Sequence, residues 1–299
     1  MNKNKKIIIL VYCIIIFLIL IGFIIKKNLY TNTSKKISAI KTKITDTDKK
    51  ETTQQSTNNK ETKSKNKFEG IKLTTSDIGI PVLCYHDVTP NNPDNNDMLL
   101  NPNKFKNQLS WLKENGYTSI TLTDLYNYLR NNEPIPEKSV VLTFDDGYRG
   151  NYTYAYPILK EMGFTANFFI ISDFVDNGLY MTKDELKKLI SNGFEVDSHT
   201  SNHLDLSKLT YNQQIETFKS SKETLEKIIN KPVNFVAYPY GKYNSETRKA
   251  AETAGFNLGF NLCGNLADRK DNNYNMDRLY VSNNYTLEHF ANKIKTATK

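Results

Sequence analysis

The sequence predicts an α/β protein built as a distorted (β/α)7-type barrel of parallel strands. Short apolar runs alternate with amphipathic helical segments about seven times over roughly 220 residues, which is the pattern of parallel βαβ units. This is more strands than a small open sheet needs, so a barrel is favoured over a doubly wound sheet. Clusters of polar residues repeatedly follow the apolar runs, and the carboxyl ends of barrel strands all open onto one face.

The chain before the predicted barrel divides into three segments. Residues 7–25 are 19 consecutive residues without a charge, long enough to cross a hydrocarbon core of ~30 Å. No Ala-x-Ala-like site follows, so an uncleaved transmembrane anchor is predicted, with residues 1–6 in the cytoplasm; a buried soluble helix is the alternative. Residues 26–77 are polar and Lys-rich and predict a disordered basic linker. The folded domain is expected to span 78–299, outside the cell, because long downstream domains translocate largely regardless of charge.

The charge distribution argues against a nucleic-acid partner. Residues 1–69 hold 15 Lys against 5 acidic residues, whereas the rest of the chain holds 25 basic and 27 acidic residues. The folded part is therefore slightly acidic, with no basic surface implied.

The folded domain is expected to be monomeric. Cys84 and Cys263 have no zinc-site spacing, and the sequence alone does not decide whether a single disulfide joins them.

The predicted strands are short runs of apolar and β-branched residues that end at polar residues or turns. Val140–Thr143, for example, leads directly into two carboxylates, and Gly147 then breaks the run. The expected strands cover residues 80–85, 118–122, 140–143, 166–171, 194–196, 234–237, 256–260 and 278–281.

The predicted helices show apolar residues at helical spacing, with capping residues at their ends. Thr182 and Thr210 each begin a capping box, and Thr123 and Thr286 are predicted N-caps. The expected helices cover residues from about 105 to 115, 123 to 129, 156 to 162, 182 to 192, 210 to 229, 245 to 254 and 286 to 294.

Two adjacent carboxylates, Asp145 and Asp146, lie where the strand 140–143 ends. Like charges this close repel each other, so a cation, a proton or abundant water has to offset the cost. The alternative is a solvated Asp-Gly turn, which is a common turn signal.

Two of the four histidines, His199 and His203, are four residues apart after another predicted strand. Side chains at this spacing on a helix or tight turn share one face, so two imidazoles can bind one ion. With a carboxylate from the Asp pair they would make three protein ligands and an open position, the pattern of catalytic sites for zinc-like ions. Zinc is expected, with cobalt, nickel, manganese or iron as alternatives.

Three motifs resemble, in order and spacing, the signatures of the polysaccharide deacetylases with a NodB-type domain. They are Thr143-Phe-Asp-Asp-Gly-Tyr148, Ser198-His-Thr-Ser-Asn-His203 and Tyr238-Pro-Tyr-Gly241, and the resemblance spans about residues 79–285. It implies one divalent metal ion held by Asp146, His199 and His203, with Asp145 as general base. It also implies that the third motif, with Pro239 and Gly241 around Tyr240, supplies the backbone N–H of Tyr240 to the oxyanion.

The sequence departs from the common family pattern in two places. Ala237 occupies the position at which many members carry an arginine that pairs with the base. Arg278 resembles the arginine that a subgroup supplies from a later strand, so it is assigned this role; a surface arginine is the alternative. No general-acid histidine motif occurs near the C-terminus. Val82-Leu-Cys-Tyr-His86 resembles the first strand of the circularly permuted subgroup that includes poly-N-acetylglucosamine deacetylases, which makes His86 the candidate acid; a structural histidine is the alternative.

The predicted function is metal-dependent de-N-acetylation of an extracellular N-acetylglucosamine polymer. Poly-β-1,6-N-acetylglucosamine of the biofilm type is the favoured substrate, and peptidoglycan is the alternative. Tyr148, Tyr238 and Tyr240 are candidates for stacking on sugar rings. An inactive carbohydrate-binding or scaffold domain is an alternative of another class. A glycosidase is disfavoured, because adjacent carboxylates cannot readily flank a glycosidic bond at the ~5 Å or more that its chemistry requires.

Overall fold

The structure, a computed structural model, describes residues 67–297. The predicted anchor at 7–25 and most of the predicted linker lie outside this range. Among the described residues, no helix combines the length and apolar character needed to cross a bilayer.

Twelve strands and seven α-helices occur within residues 67–297. In chain order, the strands are β1 (Leu73–Thr74), β2 (Val82–Tyr85), β3 (Asp87–Val88), β4 (Leu99–Leu100), β5 (Thr118–Ser119), β6 (Ile135–Pro136), β7 (Ser139–Phe144), β8 (Asn167–Ile170), β9 (Glu195–Ser198), β10 (Phe235–Ala237), β11 (Leu258–Phe260) and β12 (Leu279–Tyr280). The helices are α1 (Pro102–Glu114), α2 (Leu122–Asn131), α3 (Tyr156–Met162), α4 (Lys183–Ser191), α5 (Tyr211–Ile229), α6 (Ser245–Thr253) and α7 (Leu287–Thr296).

The main sheet is parallel and forms a curled half-barrel, which confirms the predicted parallel α/β class. Its strands lie in the order β11-β10-β9-β8-β7-β2-β12, and β5 pairs with the first residues of β7. A parallel bridge between Phe260 and Met276 joins β11 to the segment that precedes β12. The carboxyl ends of the parallel strands therefore share one edge, as the polar clusters in the sequence require.

Both faces of the main sheet are covered, so its strands are buried along their length. All six residues of β7 are buried. Because successive side chains in a strand point to opposite faces, Val141 packs in one apolar cluster with Phe169 and Phe260. Leu142 and Phe144 pack in the other cluster, which includes residues of the surrounding helices.

The capping residues decide where the helices begin. The boxes predicted at Thr182 and Thr210 are both formed. The helix α2 begins earlier than predicted, because Thr121 rather than Thr123 is its N-cap, in a capping box with Asp124. The carboxylate of Glu195 also accepts the N–H groups of Leu122 and Thr123, which a helix N-terminus leaves unsatisfied.

The end of the predicted linker is part of the fold. Leu73 and Thr74 pair with β6 as an antiparallel strand. The hydroxyl of Tyr128 donates to the carbonyl of Ser76, and Arg269 donates to the carbonyl of Thr75. The folded region therefore begins before residue 78, the predicted boundary, because backbone pairing holds a segment that has few apolar residues of its own.

The structure corrects two expectations from the sequence, the disulfide considered between Cys84 and Cys263 and the role of Tyr238 in sugar stacking. Cys84 is buried and Cys263 is exposed, and both are free thiols, so the bridge left open is not formed. Tyr238, a candidate for sugar stacking, is 0% exposed, and its hydroxyl donates to the carbonyl of Tyr274 at 3.0 Å. Tyr238 therefore belongs to the core and cannot contact a polymer, because its ring is buried beside Phe218 of α5.

We expect Gly259→Ala to destabilise the fold, because a Cβ at this position would lie 2.1 Å from the hydroxyl oxygen of Tyr238. Overpacking of a close-packed interior of this kind costs about 1–3 kcal/mol in the free energy of unfolding. Urea unfolding of the purified protein measures it. Gly178→Ala is the matched control, since a Cβ there meets nothing within 4 Å. Equal stability of the two variants would contradict the described packing.

Candidate active site

The predicted site residues meet at the carboxyl edge of the sheet and inside the half-barrel. Asp145 and Asp146 directly follow β7, His199 follows β9, and His86 follows β2. Neighbouring parallel strands bring these ends together, since β7 pairs with both β2 and β8 and β8 pairs with β9. Arg278 lies one residue before β12, which pairs with the other side of β2.

Asp145 and Arg278 form a buried ion pair with two parallel hydrogen bonds. The two guanidinium nitrogens donate to Oδ1 and Oδ2 of Asp145, each at 2.7 Å. Arg278 is 0% exposed and Asp145 is 1% exposed. Arg278 also donates to Thr143 Oγ1 and to the carbonyl of Asn261, each at 3.1 Å. The predicted partners are therefore in contact, and Arg278 is not a surface residue.

The ion pair keeps Asp145 ionised. Burial alone would raise the pKa of Asp145, but the charge of Arg278, followed by that of His199, outweighs it and lowers the pKa to about 2. In turn, Asp145 raises the pKa of Arg278 although burial opposes this. The carboxylate is therefore a fixed, oriented acceptor at neutral pH.

A buried thiol also contacts Asp145. Cys84 Sγ lies 3.4 Å from Oδ2 and can donate a weak hydrogen bond to it. The contact follows from strand register, because Cys84 pairs with Thr143, two residues before Asp145. Apart from the proximity of Cys84 to His86, no sequence pattern indicates that this thiol lies in the site.

Asp146, His199 and His203 converge on one point. Asp146 Oδ1 lies 3.3 Å from Nε2 of His199 and 3.2 Å from Nε2 of His203. The carbonyl oxygen of Ala237 lies 2.9 Å from Nδ1 of His199, which orients the ring so that Nε2 faces Asp146. One ligand atom from each of the three residues lies within 4.8 Å of the others.

The donor atoms of this cluster fit a divalent cation. Among the described residues Oδ1 of Asp146 is buried without a hydrogen-bond partner, although two imidazole nitrogens lie close to it. Burial would raise the pKa of Asp146, but the two imidazoles lower it far below its usual range. A buried, ionised carboxylate oxygen that faces two imidazole nitrogens at 3.3 and 3.2 Å is an arrangement that a cation bound between the three atoms would satisfy.

Adjacent carboxylates can serve different clusters because the backbone turns between them. Asp146 has φ 69° and Gly147 has φ 81°, both in the left-handed region. His203, with φ 58°, and Thr200, with φ 68°, adopt this region too. Such conformations cost free energy in non-glycine residues and are retained mainly where the surrounding structure holds them, as at functional sites.

His86 borders the Asp145 side of the site. One ring nitrogen lies within 4.8 Å of a carboxylate oxygen of Asp145, in a group that also includes the thiol of Cys84. The ring packs edge-on against Tyr280, with centroids 5.6 Å apart. Burial lowers the pKa of His86, and the charges of Asp145 and Asp146 partly offset this. A second cation is disfavoured here, since Arg278 already occupies both oxygens of Asp145.

Aromatic residues border the cluster of Asp146, His199 and His203. Tyr240, in the turn Pro239–Gly241 after β10, is 59% exposed, and its ring centroid lies 4.6 Å from that of His203. Tyr148 stacks on Tyr180 with centroids 5.1 Å apart. The sequence did not single out Tyr180, whose contact with Tyr148 depends on a loop that no local motif marks.

The chain resembles known proteins over the folded region. The family model for polysaccharide deacetylase matches residues 132–259. The Bacillus subtilis protein YxkH is 33% identical over 203 residues, which are 68% of this chain and 71% of that protein. The poly-β-1,6-N-acetyl-D-glucosamine N-deacetylase of Staphylococcus aureus is 30% identical, with 64% and 70% covered.

A solved structure agrees with these matches. The Streptococcus pyogenes deacetylase PplD, in complex with acetate, superposes with a TM-score of 0.70 and 29% identity, covering 73% of this chain and 99% of that one. Sequence, fold and the three motifs at one sheet edge therefore lead to the same family. The chain belongs to the polysaccharide deacetylases and is a hydrolase that cleaves the carbon–nitrogen bond of N-acetyl groups.

Proposed function

We propose that this protein is a metal-dependent de-N-acetylase of an extracellular N-acetylglucosamine polymer, with poly-β-1,6-N-acetylglucosamine as the favoured substrate. The observation that carries the metal dependence is the approach of two imidazole Nε2 atoms to Asp146 Oδ1, at 3.3 and 3.2 Å. Beside this cluster stands an ionised carboxylate, Asp145, that is held by Arg278 and remains outside the ligand set.

Asp146, His199 and His203 would hold the ion. Zinc is the favoured metal, and cobalt, nickel, manganese and iron suit the same donors. When bound, a divalent ion lowers the pKa of a water molecule and polarises an acyl oxygen.

We assign Asp145 the role of general base, which accepts a proton from the attacking water. Arg278 fixes its orientation and keeps it ionised, so the carboxylate is ready at neutral pH. A pKa of about 2 also makes Asp145 a weak base. The proton therefore rests on it only briefly.

We assign His86 the role of general acid, which protonates the departing amine. Its ring reaches the Asp145 side of the site, where the charges of Asp145 and Asp146 partly offset the lowering of the pKa of His86 by burial, and imidazole is a common proton donor in enzymes. Tyr240 lies on the other side, beside His203, where its backbone N–H would donate to the oxygen that becomes negatively charged. The exposed ring of Tyr240 and the Tyr148–Tyr180 pair are the surfaces on which a sugar would stack.

Two observations support poly-β-1,6-N-acetylglucosamine as the polymer. The Staphylococcus aureus relative carries this substrate in its name. In addition, His86 reaches the site from the first strand of the main sheet, β2, as the resemblance to the circularly permuted subgroup implies.

Acetate release should be measured side by side on poly-β-1,6-N-acetylglucosamine and on peptidoglycan, with and without a chelator. We expect faster release from the first polymer, loss of release in chelator, and its return when zinc or cobalt is added. Faster release from peptidoglycan would replace the proposed substrate. Full activity of a metal-free preparation would overturn the metal dependence.

Asp145→Asn and His199→Ala form a matched pair that separates the base from the ligands. Both should reduce acetate release by about 10²–10⁴-fold or more, since each removes a component of proton transfer or of metal binding. Asp145→Asn should keep the metal content of the wild type, whereas His199→Ala should lose it, as measured by elemental analysis. Wild-type turnover of Asp145→Asn would show that another group is the base.

We further propose that residues 7–25 anchor the enzyme in the cell membrane, with the catalytic domain on the outer, cell-wall side. The supporting observation is the 19-residue uncharged run followed by a Lys-rich segment. Deletion of residues 2–27 should move the protein from the membrane fraction to the soluble fraction. Protease added to intact cells should cut the full-length protein, whose catalytic domain lies outside the cell, but not the shortened protein. Full-length protein in the soluble fraction would contradict the anchor.

A further inference from the structure

The loop that carries His86 is fastened to the segment after the two aspartates by one buried side chain. Asn151 is 0% exposed. Its Nδ2 donates to the carbonyl of His86 at 2.6 Å, and its Oδ1 accepts the N–H of Val88 at 3.1 Å. One amide thus holds the backbone on both sides of Asp87.

Gly150 packs directly under the same loop. A Cβ on Gly150 would lie 2.2 Å from Asp87 Oδ1 and 2.7 Å from the carbonyl oxygen of Val88. The backbone φ of Gly150 is −56°, which any residue adopts, so close approach is the reason for a glycine here. The loop and the segment 150–151 therefore touch without a gap.

Before His86, the N–H of Asp145 donates to the carbonyl of Tyr85. After His86 the chain forms only the two-residue strand β3, which pairs with the equally short β4. Asn151 itself begins a π-helical turn, Asn151–Ala155, only six residues after Asp145. The side chain of Asn151 consequently ties the backbone of the acid to the connection that also carries the base.

We propose that Asn151 is a positioning residue that holds His86 at its place opposite Asp145. The inference rests on the proposed role of His86 as the general acid. The amide group of Asn151 suits this task because it offers a donor to one backbone carbonyl and an acceptor to the next free N–H. A loop released from Asn151 would let His86 move away from the departing nitrogen while the metal ligands, which lie on other loops, stay in place.

A general acid matters for a poor leaving group and not for a good one, which provides the test. Cleavage of an acetamide requires protonation of the departing amine, whereas cleavage of 4-nitrophenyl acetate releases a stable phenolate. We expect Asn151→Ala to lower kcat for acetate release from poly-β-1,6-N-acetylglucosamine roughly 10- to 100-fold, as a displacement of about 1 Å can do. Hydrolysis of 4-nitrophenyl acetate should change less than about twofold, because proton donation contributes little there.

Three further variants make the result decisive. Gly150→Ala pushes the same loop while keeping Asn151, so it should show the same split between amide and ester, and it decides the matter alone if Asn151→Ala does not fold. Asn167→Ala removes another buried asparagine, one that donates to Asp197 at 2.7 Å, and should affect stability without the split. His86→Ala is the reference for complete loss of the acid.

The outcomes separate the two proposals. If His86→Ala lowers the rates for both substrates equally, His86 is not the general acid and the inference about Asn151 is wrong as well. The other case is that His86→Ala lowers only the rate of amide cleavage, while Asn151→Ala and Gly150→Ala lower the rates for both substrates equally or leave both rates unchanged. The positioning role is then overturned and the proposed function stands.

Discussion

The buried pair of Asp145 and Arg278 is the interaction on which the rest of the site depends. Two charges that are 1% and 0% exposed are tolerable only because two hydrogen bonds of 2.7 Å join them. Removing one partner of such a pair commonly costs about 3–5 kcal/mol, since the other charge is left uncompensated. Arg278 also donates hydrogen bonds to Thr143 on β7 and to Asn261 after β11, so one side chain links three parts of the half-barrel and orients the base.

The backbone then gives two identical side chains different surroundings. The left-handed conformation of Asp146 turns its carboxylate toward the histidines, while Asp145 points to Arg278. Each left-handed non-glycine residue costs on the order of 1–3 kcal/mol, which the packed strands around the site must offset. This arrangement reduces the repulsion between the two carboxylates, because Asp145 faces the guanidinium of Arg278 and Asp146 faces the two imidazoles.

Proton transfer at this site depends on groups whose pKa values are both shifted downward. Arg278 lowers the pKa of Asp145, and burial lowers the pKa of His86. Neither group holds a proton tightly, so each passes it on readily once a better acceptor forms. For His86 that acceptor is the departing amine, so the position of His86 relative to the departing nitrogen matters. The placement of the His86 loop by Asn151 is significant for this reason.

The sequence by itself determined the parallel α/β class, the capping boxes at Thr182 and Thr210, and the residues that would gather around Asp145 and Asp146. These features depend on patterns within a few residues or on whole motifs. Tertiary structure alone decided that Tyr238 lies in the core, that Glu195 accepts the first N–H groups of α2, and that Cys84 and Asn151 border the site. Each of these depends on strand register or on a partner more than 20 residues away, and the physical reason is that periodicity specifies which face of an element is buried but not what lies against it.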